Sequence, residues 1–89
     1  MSSAALLSSL AHPTRLDIVK ALDASGELNV NEVSKKLGQS QATVSRHLII
    51  LRDAGAVCVR AQNASRIYSV GAGVSGLVRL VDELTEPTA

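Results

Sequence analysis

The side chains most able to do chemistry lie between Ser40 and Arg46, at the start of a predicted helix that runs to Ala54. At about 100° per residue, the apolar side chains of this helix fall on one narrow stripe, formed by Val44, Leu48 and Leu51. The opposite face is small, polar or basic in the first two turns. Such a helix end can enter the major groove of DNA, where Arg46 suits a bidentate contact with guanine and Gln41 a contact with adenine.

A second group of polar and basic residues follows this helix, in two short alternating runs around a polar turn. The runs 57–62 and 66–70, with Asn63-Ala64-Ser65 between them, predict a β-hairpin. The hairpin carries Arg60 and Arg66, and its turn is small enough to lie along a DNA backbone or to enter a minor groove. A recognition helix (40–54) followed directly by such a wing (57–70) indicates DNA binding more specifically than either part alone.

The candidate DNA-contacting residues therefore lie in the recognition helix and the wing. They are Gln39, Ser40, Gln41, Ala42, Thr43, Ser45, Arg46, Arg60, Asn63, Ser65 and Arg66. Ser40 and the free backbone amides of the first helical turn are expected to bind phosphate, because helix N-termini attract anions.

The elements that position these residues have clear end signals. Pro13 suits the first position of a second helix, with His12 as its cap. Asn29 and Glu32 have the spacing of a capping box that opens a third helix, which stops at Gly38. A tight turn there leads into the recognition helix, in a helix-turn-helix pattern. The predicted fold is mainly α with a small β-hairpin, a winged helix-turn-helix in the order α-α-α-α-β-β-α.

The charge is unevenly distributed along the chain. Between Lys35 and Arg66 six basic residues and one acid give a net charge of +5, and the remainder carries −4. This asymmetry suggests one face suited to phosphate, although ordinary solvated charge is the alternative. An apolar content of 46% excludes a disordered chain, and the single aromatic residue, Tyr68, argues against a platform that stacks single-stranded bases.

Five motifs occur in a characteristic order along the chain. They are Leu10–Leu16, Leu37–Gln41, Val44–Leu51, Ala54-Gly55 and Arg66–Tyr68. In this order they resemble the arsenic-repressor (ArsR/SmtB) family of winged-helix regulators, over about residues 7–70. The resemblance implies a homodimer, built from the first and last helices, that binds a palindromic operator in double-stranded DNA and represses transcription. The apolar stripes of those two helices fit a two-fold partner, and the predicted interface residues are Leu6, Leu7, Leu10, Val74, Leu77, Val78 and Val81.

Many members of that family sense metals, through sites that this chain lacks. One type of site has cysteines at the start of the third helix, where this chain has Asn29 and Asn31, which are poor ligands for soft metals. Another pairs Asp with His across the two last helices of the dimer, and the last helix here has no histidine. We therefore expect no metal and no cofactor, and a structural role beside the core for His47.

Cys58 is the only cysteine, and at a strand position it is predicted to be an inert, small residue. Arg60 on the same face leaves a reactive thiol as the alternative. The chain has neither a glycine-rich phosphate loop nor a nucleophile motif, so no enzymatic activity is expected.

The length of 89 residues predicts one domain, 1–89, with a flexible tail at 85–89. The short apolar run near the N-terminus predicts neither a membrane span nor a signal peptide, so the chain is expected to be intracellular. The family resemblance implies the cytoplasm of a prokaryotic cell, in association with the nucleoid. Two alternatives to the DNA-binding repressor remain: a winged-helix protein-interaction module, and a ligand-sensing regulator with a small-molecule pocket at the dimer interface.

Overall fold

The computed structural model describes residues 3–85 and combines five α-helices with one three-stranded antiparallel sheet. The helices are α1 (Ser3–Leu10), α2 (Pro13–Ser25), α3 (Val30–Leu37), α4 (Gln41–Asp53) and α5 (Val74–Thr85). The strands are β1 (Glu27–Asn29), β2 (Val57–Gln62) and β3 (Ser65–Val70), in the sheet order β1-β3-β2. This architecture confirms the predicted winged helix-turn-helix fold and adds one strand to it.

The helix starts form where local sequence signals predicted them. At the start of α2, the Nδ1 atom of His12 accepts a hydrogen bond from the backbone N–H of Thr14 at 3.2 Å. At the start of α3, both hydrogen bonds of the capping box are present: the Glu32 N–H donates to Asn29 Oδ1 at 2.8 Å, and the Asn29 N–H donates to Glu32 Oε1 at 2.9 Å. These bonds satisfy backbone donors that a helix start otherwise leaves unpaired.

Strand β1 is the element that the sequence did not predict. It has three residues, and its central residue, Leu28, is buried and pairs with Tyr68 of β3. Three residues are too few to show the alternation that identifies a strand, and β1 exists because a distant strand supplies its hydrogen-bonding partner. Its pairing attaches the wing to the segment that precedes α3.

The turn of the wing is shorter than predicted. Gln62 pairs with Ser65, so Ser65 is the first residue of β3 and the loop consists of Asn63 and Ala64 alone. Asn63 has a φ of +56°, a left-handed conformation that asparagine tolerates better than most residues.

The hydrophobic core contains side chains from every helix and every strand. The inward residues predicted for α2 are confirmed, since Leu16, Val19 and Leu22 are all buried. The core also includes Val33 of α3 and Tyr68 of β3. One continuous core therefore holds the recognition helix and the wing in a single unit.

Four residues predicted at a dimer interface are buried inside the protomer itself. Leu10, Val74, Val78 and Val81 are 0%, 1%, 3% and 8% exposed. A two-fold partner is not needed to cover these four residues, because α5 packs against α1 and α2 within the protomer. Leu6 and Leu77 are partly buried against the same core. The exposed leucines of α1 and α5 are Leu7, Leu80 and Leu84.

Thr85, the first residue of the predicted tail, belongs to the C-terminal helix. Residues 86–89 lie outside the described part of the chain. Within residues 3–85, no helix is both long enough and apolar enough to cross a lipid bilayer.

Candidate nucleic-acid interface

The turn between α3 and α4 is held by hydrogen bonds on both sides. Gly38 ends α3 with a φ of +65°, a conformation that favours glycine, and its N–H donates to the Ser34 carbonyl. The Ser34 hydroxyl in turn donates to the carbonyl of Gln39. Ser40 then caps α4, since its Oγ accepts a hydrogen bond from the Thr43 N–H at 3.1 Å. The first turn of α4 therefore has a defined position relative to α3.

The two faces of α4 are those that the helical period predicts. The buried stripe consists of Val44, Leu48 and Leu51, each 0% exposed. The exposed face of the first two turns comprises Gln41, Ala42 and Arg46, with Thr43 and Ser45 partly buried on its flanks. The helix thus presents hydrogen-bonding side chains away from the core, as a groove-reading helix requires.

The hydroxyl of Ser40 is engaged within this turn, because it also donates to Thr43 Oγ1 at 2.9 Å. The donors that a helix start leaves unpaired, and that could bind an anion here, are the backbone N–H groups of Gln41 and Ala42.

Two of the six basic residues between Lys35 and Arg66 form ion pairs with acidic residues. Arg60 on β2 reaches across the sheet to Glu27 on β1, with an Nε–Oε2 distance of 2.8 Å and an Nη2–Oε1 distance of 3.0 Å. The hydrogen bond from Arg60 holds the pKa of the Glu27 carboxyl below its usual value. Arg52 pairs with the adjacent Asp53 at 3.1 Å. In the protein without DNA, the charge of Arg60, a predicted DNA contact, is therefore offset by the carboxylate of Glu27.

The other four basic residues between Lys35 and Arg66 are exposed and have no ion-pair partner among residues 3–85. They are Lys35 and Lys36 in the last turn of α3, Arg46 on α4 and Arg66 on β3. The sequence-based list of DNA contacts omitted Lys35 and Lys36. Two basic residues just before a helix-turn-helix turn are the signal that could have identified them. The positive charge left available is carried by the helix-turn-helix and the wing.

The wing and the start of α3 border a common open groove of about 490 Å³. Its lining residues are Asn29, Val30, Asn31, Ala64, Ser65 and Arg66. The unpaired guanidinium of Arg66 therefore faces the same space as the start of α3.

The two asparagines that were compared with metal-binding cysteines have other hydrogen-bonding roles. Asn29 caps α3 through Glu32. Asn31 accepts a hydrogen bond from the side-chain Nε2 of Gln41 at 3.0 Å, across the turn between α3 and α4. The sequence identified Asn31 only as a residue unsuited to bind a soft metal, and nothing in its local pattern predicted the contact with Gln41.

His47 lies half-buried on the inner flank of α4, where a structural role was predicted. Its ring lies next to that of His12 in a tilted arrangement, with the ring centroids 4.9 Å apart. Burial, together with the nearby charges of His12, Arg15 and Arg46, lowers the pKa of His47 below its usual value. The neutral imidazole is therefore the form that the fold favours.

Folding stability should consequently fall with acidification. A histidine whose pKa is lowered by folding stabilises the protein fully above the unfolded pKa of about 6.5, and this contribution is lost as the pH falls towards the folded pKa. We expect the urea midpoint to decrease between about pH 7.5 and about pH 5.5.

The variant His47→Gln should reduce this decrease, because it removes the group that titrates. His12→Asn keeps a capping side chain and removes only the neighbouring ring, so it should reduce the decrease by less, since burial is the largest cause of the shift. An unchanged pH dependence in His47→Gln would contradict this assignment.

Cys58 is exposed on β2, opposite Ser69 of β3. In the part of the chain that the structure describes, no three His, Cys, Asp or Glu side chains are close enough together to hold a metal ion.

The structure combines a short capped helix, a three-residue turn (38–40), a second helix with an exposed polar and basic face, and a paired wing on the same core. These features define a winged helix-turn-helix DNA-binding protein. Comparison of the chain with known proteins indicates the same class. Residues 12–58 match the model of the bacterial regulatory proteins of the arsR family. The chain belongs to that family.

Two relatives illustrate the match. The HTH-type transcriptional regulator MJ1325 of Methanocaldococcus jannaschii is 36% identical over 83 residues, which cover 92% of this chain and 93% of that protein. The transcriptional repressor PagR of Bacillus anthracis is 37% identical over 83 residues, covering 91% of this chain and 82% of PagR. The crystal structure of PagR superposes with a TM-score of 0.80 over 88% of this chain and 90% of that one.

A third similar protein is the homodimeric winged helix-turn-helix DNA-binding domain of Mb0332 from Mycobacterium bovis, a possible ArsR-family transcriptional regulator. It has a TM-score of 0.81 and 30% identity, over 91% of this chain and 75% of that one. The family is one of bacterial regulatory proteins, PagR is a transcriptional repressor, and the similar part of Mb0332 is a DNA-binding domain. This chain is accordingly a DNA-binding regulator of transcription and not an enzyme.

Proposed function

We propose that this chain is a homodimeric transcriptional repressor that binds a palindromic operator, with one α4 helix in each of two successive major grooves. The observation that carries the proposal is the exposed face of α4, where Gln41 and the unpaired Arg46 project from a helix start free of bulky side chains. The relative PagR is a transcriptional repressor, and this supports the same role here.

Base reading would come from two side chains of α4. The guanidinium of Arg46 can donate two parallel hydrogen bonds to guanine O6 and N7, and the amide of Gln41 can pair with adenine N6 and N7. Ala42 lies between them on the exposed face, and its small side chain allows the helix to approach the base edges closely.

Phosphate contacts would come from the unpaired cations on either side of α4. Lys35 and Lys36 lie before the turn, and Arg66 lies on the wing beside the Asn63-Ala64 loop. These contacts set the position of the protein on the duplex without reading its sequence. Arg60 would contact phosphate only if its ion pair with Glu27 broke.

The dimer would form through α1 and α5, which pack against each other in the protomer. Leu7, Leu80 and Leu84 are 42%, 51% and 77% exposed there, and two-fold pairing would remove this apolar surface from water. The homodimeric state of Mb0332 supports this arrangement. Two α4 helices related by such an axis would meet half-sites about 34 Å apart, one turn of DNA.

Selection of bound sequences from random duplex DNA by the purified protein tests the proposal. We expect an inverted repeat whose half-site centres lie about 10 base pairs apart. If Lys35, Lys36 and Arg66 of each protomer contact phosphates, six contacts in the dimer, affinity for the recovered duplex should fall about 10³-fold between about 50 and 200 mM salt. No enrichment over a pool carried through without protein would contradict DNA recognition, and an enriched site without two-fold symmetry would contradict the dimer.

A further inference from the structure

The hydrogen bond between Asn31 and Gln41 connects the two helices of the helix-turn-helix at its exposed surface. Gln41 Nε2 donates to Asn31 Oδ1 at 3.0 Å, and both side chains are exposed. Asn31 is not needed to start α3, because Asn29 and Glu32 complete the capping box without it. Its amide oxygen is thus available to hold a residue of the recognition helix.

The contact leaves Gln41 able to read a base. A glutamine amide has two N–H donors and one carbonyl acceptor, and the bond to Asn31 uses one donor. The carbonyl oxygen and the second N–H remain for adenine, which presents an N6 donor and an N7 acceptor in the major groove. A long side chain already held in place also loses less conformational freedom when it binds.

We propose that Asn31 is a positioning residue that orients the Gln41 amide and thereby sets the base preference at one operator position. Asn31 acts through Gln41 and need not touch DNA itself. The proposal rests on the proposed function, since it requires that α4 reads base edges.

The experiment measures binding constants on the selected operator and on duplexes with each base pair of a half-site changed in turn. Gln41→Ala identifies the base pair that Gln41 reads, as the position where discrimination is lost. We expect Asn31→Ala to lower discrimination at that same base pair by about two- to tenfold, the effect of losing one hydrogen bond, and to leave the other positions unchanged. The double variant should show no further loss beyond Gln41→Ala alone, because the two residues act through one contact.

Two further variants separate positioning from other effects. Asn31→Asp keeps an acceptor for Gln41 but adds a negative charge, so it should weaken binding to all duplexes alike and retain the discrimination. Ser75→Ala removes another hydrogen bond between helices, the 2.6 Å bond from Ser75 to Asp23 that joins α5 to α2, and should leave base preference unchanged.

The outcomes distinguish this proposal from the proposed function. If the wild-type protein discriminates between duplexes but Asn31→Ala discriminates equally well, or loses affinity equally at every position, the positioning role is overturned and the proposed function stands. If Gln41→Ala leaves every base preference intact, the positioning role is overturned together with the reading of adenine by Gln41, while the dimeric repressor with Arg46 as its base-reading residue stands. If the wild-type protein shows no preference among duplexes, both proposals are overturned.

Discussion

Val78→Glu should unfold the protomer rather than merely separate two subunits. Val78 is 3% exposed on the inner face of α5, within the core that α5 shares with α1 and α2. A carboxyl group placed there has to remain ionised without a partner or become protonated at a cost, and the packing of the valine is also lost. We expect a loss of about 4 kcal/mol or more in the free energy of unfolding, a large part of the stability of a small domain.

Leu80→Glu, two residues further along the same helix, is the matched control. Leu80 is 51% exposed, so a glutamate there remains in water in the protomer and opposes only the association of two copies. The helix content should be retained while the sedimentation coefficient falls to that of a monomer. Its urea midpoint should differ from that of the wild-type protein by an amount that grows with protein concentration, because only the dimer contribution is lost.

Both variants are measured by urea unfolding followed by circular dichroism and by sedimentation velocity. A folded, monomeric Val78→Glu would show that Val78 belongs to the interface and not to the core. An unchanged sedimentation coefficient for Leu80→Glu would exclude this face of α5 from the dimer.

The second large effect is expected at Arg46. Arg46→Ala should cost about 1–3 kcal/mol in binding free energy on the selected operator and relax the preference at one base pair, because a bidentate contact to guanine is lost. Folding stability should change by no more than about 0.5 kcal/mol, since the side chain is exposed and alanine suits a helix interior. Competition binding with specific and random duplexes measures the first effect, and urea unfolding the second.

Arg46→Lys separates charge from geometry at the same position. Lysine keeps the positive charge but lacks the planar fork that pairs with two acceptors. Binding to random DNA should therefore be largely retained, while discrimination at the same base pair is weakened. Equal losses of affinity on specific and random DNA in Arg46→Ala would show that Arg46 contacts phosphate instead of a base.

Several features of the fold could be predicted because they depend on neighbours in the chain. The His12 cap, the capping box of Asn29 and Glu32, and the buried stripe of α4 each involve residues within about two helical turns. The corresponding signals are present in the sequence itself. The family resemblance depends on the same local motifs, and the match to the arsR family confirms it.

Other features depend on residues far apart in the chain. Strand β1 requires β3, which lies about forty residues later, and Glu27 is paired with Arg60 only because the sheet brings their strands together. On α5 the helical period grouped the apolar residues but could not say which neighbour would cover them. The packing of α1 and α2 buries Val74, Val78 and Val81 and leaves Leu80 and Leu84 exposed.

Local patterns in the chain therefore predict the start of the recognition helix at Ser40, the face that carries Arg46 and Gln41, and the presence of a wing after it. These follow from helical period, capping and alternation, which act over a few residues. The packing of the elements against one another determines which basic residues remain unpaired, which leucines remain exposed and that Asn31 holds Gln41. Charge pairing, burial and hydrogen bonding between elements depend on distances in space, and folding sets those distances through contacts that no local pattern encodes.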